Sequence, residues 1–170
     1  MTETETSRMG DVKVDGDRAT LTFRRYLHHP RETVWKAITE THETSKWYLS
    51  AARIEGREGG SVEFSAGQGR VTGRILVWDP PHILEHEWNV DRPGYPKGVY
   101  GVIRWELLPD GENTILRLVH RDLPGQVGPN FAPGVHAILD RFEAYLDNSP
   151  LPDWRKRQDE VRHLYLQQGN

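Results

Sequence analysis

Histidine is the residue type with the most chemistry to offer in this chain. It occurs eight times, and its charge changes nearest to neutral pH. His28 and His29 are adjacent, His82 and His86 share one predicted strand, His120 lies on another, and His136 and His163 stand on separate helical stretches. Metal binding requires ligands at set spacing, as in H-E-x-x-H, and no such spacing occurs. His86 and His120 can meet across a sheet but lack a carboxylate partner, so no metal site is expected. General acid–base work by either is open, because burial tunes an imidazole. A nucleophile is not expected: there is no Cys, no Gly-x-Ser-x-Gly elbow, and the serines fall in turns or at helix ends. Gly56–Gly60 and Gly67-Gln68-Gly69 do not lead into the helix N-terminus that a phosphate cradle needs, and both read as hairpin turns. The motifs therefore predict no catalytic residue and no cofactor.

The elements that must position these histidines are mostly strands. Val12–Val14 and Ala19–Leu27 form a predicted hairpin on Asp15-Gly16. Pro30 opens a helix carrying Val34, Trp35 and Ile38, and His42–Tyr48 forms a second short one. Strands follow at Ala52–Glu55, Ser61–Ser65, Arg70–Trp78, Ile83–Val90, Val99–Leu108 and Thr114–Asp122, separated by short turns that make neighbours antiparallel. Pro133–Leu146 is the long helix. Its Val135, Ile138, Leu139, Phe142 and Leu146 recur at three- and four-residue spacing, which is one buried face. The plan is α+β: two short helices after the first long strand, a meander of strands, and a long helix that needs a sheet to cover.

Bulk properties set the outer limits. The chain has 170 residues, 36% hydrophobic residues, a formal charge of -3 and a mean hydropathy of -0.71. This predicts one helix-and-sheet domain over residues 11–149, a flexible Thr/Glu-rich tail over 1–10, and a helical extension over 150–170. In the extension Trp154, Val161, Leu164 and Tyr165 share one side, so it is expected to pack on the domain or on a second subunit. No block of like charge suggests nucleic acid, and no apolar run approaches the ~20 residues of a membrane span. The N-terminus lacks the apolar core of a signal peptide, so the expected location is cytoplasmic.

Strand alternation assigns the faces. The apolar registers are Leu84, His86, Trp88, Val90; Val99, Gly101, Ile103, Trp105, Leu107; and Thr114, Leu116, Leu118, His120. The opposite registers carry Glu85, Glu87, Arg104, Glu106, Arg117 and Arg121, and also Tyr100, and suit charge pairing on a solvated face. A face made only for packing would be aliphatic. His86, Trp88, Trp105 and His120 instead put polar tips into an apolar surface, as small-molecule pockets do. The expected cavity lining is His86, Trp88, Ile103, Trp105, Leu118 and His120 from the sheet, roofed by Val135, Ile138, Leu139 and Phe142, with His136 reaching the cavity mouth.

The order of these pieces resembles the SRPBCC (START/Bet v 1-like) superfamily. More narrowly it is similar to the branch related to the C-terminal domain of the activator of Hsp90 ATPase. The matching stretches are Pro30–Thr39, Trp47-Tyr48, Gly69–Trp78 with Asp79-Pro80-Pro81, Ile83–Trp88, Arg104–Leu107 leading into Pro109-Asp110-Gly111, Thr114–His120, and Val135-His136 with Leu139-Asp140 and Leu146. The resemblance implies a helix-grip fold, a curved antiparallel sheet wrapped around the long C-terminal helix with an elongated hydrophobic cavity between them. It also implies three functional readings. The first is a non-catalytic carrier or sensor of a small apolar ligand. The second is a cyclase/dehydratase or hydrolase acting on an aromatic or polyketide-like substrate. The third is a module engaging an Hsp90-type ATPase, which is disfavoured because the chain has no room for the accessory N-terminal domain. A homodimer through the extension is compatible with all three.

Overall fold

A computed structural model describes residues 5–49, 51–66 and 68–168. The first part of the expected tail, residues 1–4, and the first residue of the Gly67-Gln68-Gly69 turn lie outside them. Eight strands form one antiparallel sheet: β1 (Asp11–Asp15), β2 (Arg18–Leu27), β3 (Ala52–Ile54), β4 (Ser61–Ala66), β5 (Gly69–Asp79), β6 (Ile83–Asp91), β7 (Gly98–Asp110) and β8 (Asn113–Pro124). Their spatial order is β1-β2-β8-β7-β6-β5-β4-β3. The sheet is thus a meander from β3 to β8, and the opening hairpin attaches beside β8. Two short helices, α1 (Arg31–Thr39) and α2 (Thr41–Trp47), separate β2 from β3; the long α3 (Ala132–Leu146) and then α4 (Trp154–Gln168) close the chain. This is the α+β helix-grip architecture, a curved sheet holding a long helix. Pro30 caps α1 from outside rather than occupying its first turn. Among the described residues no helix is long and apolar enough to cross a membrane.

Three sides of α3 do three different things. Leu139 and Phe142 are fully buried, and the Phe142 ring sits 4.7 Å from Trp47 and 5.7 Å from Trp105. His136, Asp140 and Glu143 turn toward β2 and the N-terminal segment. Val135 and Ile138 are only half-buried, because they border the open space described below. At about 100° per residue, neighbouring positions on a helix cannot share a target. His136 accordingly does not reach the cavity mouth: it is fully buried, with its ring edge-on to Phe23 at 6.4 Å.

The inner register of β2 is Ala19, Leu21, Phe23, Arg25 and Leu27, and Arg25 is as buried as its apolar neighbours. An unpaired guanidinium there would be costly, so acidic groups meet it. Arg25 Nη1 donates to Asp140 Oδ1 at 2.8 Å and to Glu143 Oε2 at 2.7 Å. Arg8 also donates to Asp140, at 2.8 Å, and to Glu143. Arg157 of α4 donates through Nε to Asp140 Oδ2 at 2.7 Å and through Nη2 to Glu5 at 2.6 Å. A second chain of hydrogen bonds runs alongside. Gly10 N–H donates to the Tyr165 oxygen, Tyr165 O–H to His136 Nδ1, and His136 Nε2–H to Glu5 Oε1, at 2.8, 2.8 and 2.9 Å. Glu5 to Gly10, expected within the tail, thereby bind α3 and α4.

The outer face behaves as a charge ladder. Arg117 pairs with Glu106, and Arg121 and Arg104 converge on Glu85. Glu85 is only 7% exposed despite its outward register, because these arginines cover it. One register departs from simple alternation. Glu87 opposes Val102 while Asn89 opposes Val99, so β7 carries an extra residue there. Gly101 sits in this bulge at φ 87°, and a Cβ on it would lie 2.0 Å from the Arg121 carbonyl oxygen. The bulge turns Tyr100 inward. Assigned to the solvated face by alternation, Tyr100 is instead 2% exposed and packs its edge on Phe131.

Candidate ligand-binding cavity

Between the inner face of the sheet, the end of α2, one side of α3 and the first half of α4 lies a cavity of about 860 Å³. Volumes of roughly 300–1,000 Å³ are usual for small-molecule sites. Its sheet wall is built in rows. His86 of β6 and His120 of β8 both pair with Ile103 of β7, and Leu84 and Leu118 both pair with Trp105. Of the ten expected lining and roof residues, His86, Trp88, Ile103, Trp105, Leu118, His120, Val135 and Ile138 border this space. Leu139 and Phe142 do not: both are fully buried, and the Phe142 ring packs on Trp47 and Trp105.

The sequence pattern missed much of the remaining wall. Trp47 and Tyr48 at the end of α2 face the cavity, as do Phe64 of β4 and Val71 of β5. Phe64 spans the gap between Tyr48, at 4.8 Å, and Trp88, at 6.1 Å. Burial pushes the Tyr48 phenol above its ordinary range. From α4, Trp154, Arg155, Gln158, Asp159 and Arg162 reach the cavity. Trp154 is held there by its indole N–H, which donates to Gly134 O at 3.0 Å. The amphipathic stripe of the extension was the available signal, but a stripe does not say which surface it covers.

Both cavity histidines are neutral acceptors. Burial pulls the His86 pKa down to about 4, against a weaker upward pull from the hydrogen bond to Glu87 O and from Glu85. Its Nδ1–H donates to that carbonyl at 2.9 Å. Burial likewise pulls His120 to about 4, the bond to Tyr100 O opposing and nearby His86 reinforcing it. His120 Nε2–H donates to Tyr100 O at 2.9 Å, so its Nδ1 is the unprotonated nitrogen. That Nδ1 is buried without a partner among the described residues. The Trp88 and His120 rings meet edge-on at 5.4 Å.

A second cluster, Glu5, His136 and Asp140, places ligand-type atoms within 4.8 Å of one another. It does not suit a cation. Arg8, Arg25 and Arg157 already occupy its carboxylate oxygens, and three guanidinium charges oppose a fourth positive centre. Burial pulls the His136 pKa down to about 4, with Arg25 adding to the effect and Asp140 and Glu5 opposing it.

The sequence model of the family described as "Activator of Hsp90 ATPase homolog 1-like protein" matches residues 28–147. Comparison with curated protein sequences gives no match. Several solved structures share the fold. The crystal structure of CalU16 from Micromonospora echinospora superimposes with a TM-score of 0.70 at 20% identity, covering 94% of each chain. MLL2253 from Mesorhizobium loti gives 0.69 at 23% identity, over 78% of this chain and 99% of its own. EF2215 from Enterococcus faecalis, a conserved protein of unknown function, gives 0.71 at 16% identity, over 94% of this chain and 89% of its own. At such identities the likeness concerns the fold.

Proposed function

The chain belongs to the activator of Hsp90 ATPase homolog 1-like family of the SRPBCC superfamily, and from that footing we propose that it binds a small, largely apolar molecule in its internal cavity as a carrier or sensor, without catalysing a reaction on it. The cavity carries this reading. Its volume of about 860 Å³ suits a small-molecule ligand, and covering its apolar walls with such a ligand instead of water gains roughly 25 cal/mol per Å². Its walls combine aromatic and aliphatic surface with a few placed polar atoms, the composition of a binding site.

The histidines favour binding over turnover. With pKa values near 4, both are weak bases at neutral pH, and the one N–H of each is already given to a backbone carbonyl. They suit hydrogen-bond acceptance. Native mass spectrometry of the full chain against a lipid and aromatic library tests the proposal, with Val135→Trp as the variant that narrows the space. The expected result is a retained apolar ligand on the wild type and weaker retention on the variant. Failure of the whole library to bind the wild type refutes the reading. Turnover abolished by His86→Gln or His120→Gln in a folded protein would establish an enzyme in its place.

A further inference from the structure

The two ends of the cavity wall differ in polarity. Its exposed end carries four arginines drawn from three parts of the chain: Arg70 at the start of β5, Arg92 in the loop after β6, and Arg155 and Arg162 on α4. Among the described residues the one acid on this wall is Asp159, which pairs with Arg162 at 3.2 Å. Arg70 bonds Glu63 at 2.9 Å, and the Arg92 guanidinium lies 4.9 Å from the centre of the Tyr95 ring. Arg155 has no carboxylate partner among the described residues. A chain of net charge -3 has thus gathered positive charge around one opening. Guanidinium is the side chain best matched to a planar oxyanion, which it binds through paired N–H groups.

The buried end offers the reverse. His120 is 1% exposed, and the Gly101 bulge hands it the Tyr100 carbonyl as the acceptor for its Nε2–H. The lone pair on Nδ1 is left without a partner among the described residues. A buried acceptor of this kind is rare in folded proteins and destabilising until a donor meets it. A ligand hydroxyl meets it; a ligand ether or ketone does not.

Building on the cavity-binding reading, we propose that the ligand is an amphipathic hydroxylated acid. Its acid group sits at the arginine rim, its apolar body lies among Phe64, Trp88 and Trp105, and a hydroxyl at its inner end donates to His120 Nδ1. The rim sets which end enters last, and His120 sets what the leading end must carry.

Calorimetric titration of the full chain with ω-hydroxyhexadecanoate, its methyl ester, hexadecanoate and methyl hexadecanoate tests this. The acids are expected to bind about tenfold tighter than their esters, as loss of a charge-assisted contact implies. Arg155→Gln with Arg162→Gln is expected to erase that preference, so that acids bind no tighter than their esters. His120→Phe is expected to weaken the hydroxylated probes about tenfold relative to the plain ones, because the hydroxyl is then buried unpaired. Should His120→Phe not fold, ω-methoxyhexadecanoate on the wild type replaces it; this probe keeps the oxygen without the donor, and about a tenfold loss against the hydroxy acid is expected. Acids and esters binding alike, or a hydroxyl preference that survives loss of His120 or of the donor, overturns the proposal while the cavity reading stands. Failure of all four probes to bind overturns this proposal, and the cavity reading falls with it only where the wider lipid and aromatic library fails as well.

Discussion

His86 and His120 flank Ile103 in one row across the sheet, each paired with it from opposite sides. At about 4.8 Å per strand, the row holds the two imidazoles roughly 10 Å apart at their backbones. Both donate to backbone carbonyls, Glu87 O and Tyr100 O, so both present the remaining nitrogen as an acceptor. A sheet made only to pack a helix has no use for such a pair. A sheet lining a binding space does.

This pair makes stability depend on pH. Both histidines have folded pKa values of about 4, below the ordinary value near 6.5. The unfolded chain therefore takes up more protons between those values. Stability is full above about pH 6.5 and is lost as pH falls toward about 4. Melting curves over this range are expected to show a falling midpoint, and His86→Gln and His120→Gln are each expected to flatten it. An equally steep profile in both variants would mean that neither ring is buried neutral.

Asp140 works in a lower window. Burial alone would raise its carboxyl, but Arg25 outweighs this with Arg157, His136 and Arg8, and brings it to about 2. A depressed carboxyl contributes stability above its ordinary value, about 3.9, and the contribution is lost as pH falls through about 2. Asp140→Asn is expected to remove that acid-limb contribution from urea titrations between about pH 4 and 2. An unaltered acid limb in the variant would contradict it.

Arg25 is the counterpart of that cluster. Arg25→Met is expected to cost about 3–5 kcal/mol, because Asp140 and Glu143 keep their charges in a buried place with one cation fewer. Urea denaturation measures this as a lower midpoint at constant slope. A cost below about 1 kcal/mol would mean that Arg8 and Arg157 neutralise the site unaided.

Gly101 is the sharpest backbone requirement. Gly101→Ala is expected to destabilise by about 2 kcal/mol or more, since its φ is unfavourable for a side chain and a Cβ meets the Arg121 carbonyl. The same change should shift the Tyr100 carbonyl away from His120. Nitrogen NMR of the His120 ring reads this directly as loss of the single protonated-Nε2 pattern. Retention of that pattern with undiminished stability would show that the bulge is dispensable.

The α4 helix supplies Trp154 and the two α4 arginines to the cavity opening. Ending the chain after Ser149 is expected to abolish retention of amphipathic acids and to lower the melting temperature, since Arg157 and Tyr165 leave their partners. Ligand titration and calorimetry check the two effects separately, and sizing of both forms reads any change of assembly.

Much of this was legible in the sequence because strands of period two and a helix of period three to four carry different stripes. His86, Trp88, Ile103, Trp105, Leu118 and His120 follow from alternation alone. What escaped depends on events that periodicity does not encode. One extra residue at Gly101 flips Tyr100 to the other face. Arg25 falls in the inner register of β2, but its partners Asp140 and Glu143 arrive from more than a hundred positions away. Leu139 and Phe142 are apolar on the right helix, yet both are buried in the core, Phe142 against Trp47 and Trp105. Glu5 and Arg8 look like tail residues because their partners lie at the far end of the chain.

The place of β2 in the sheet bears on how the chain comes to be built. Leu27 pairs with Thr114 and Arg18 with Pro124, so the ladder that completes β2 closes a loop holding most of the molecule. During synthesis the β1–β2 hairpin emerges early, with Leu21 and Phe23 uncovered and one flank unpaired. It stays so until β8 leaves the ribosome. Long-range pairing of this kind is slow, on the order of milliseconds to seconds, and an uncovered strand in that interval is a site for unwanted association. The chain's vulnerable moment is therefore its birth, before its last strand arrives.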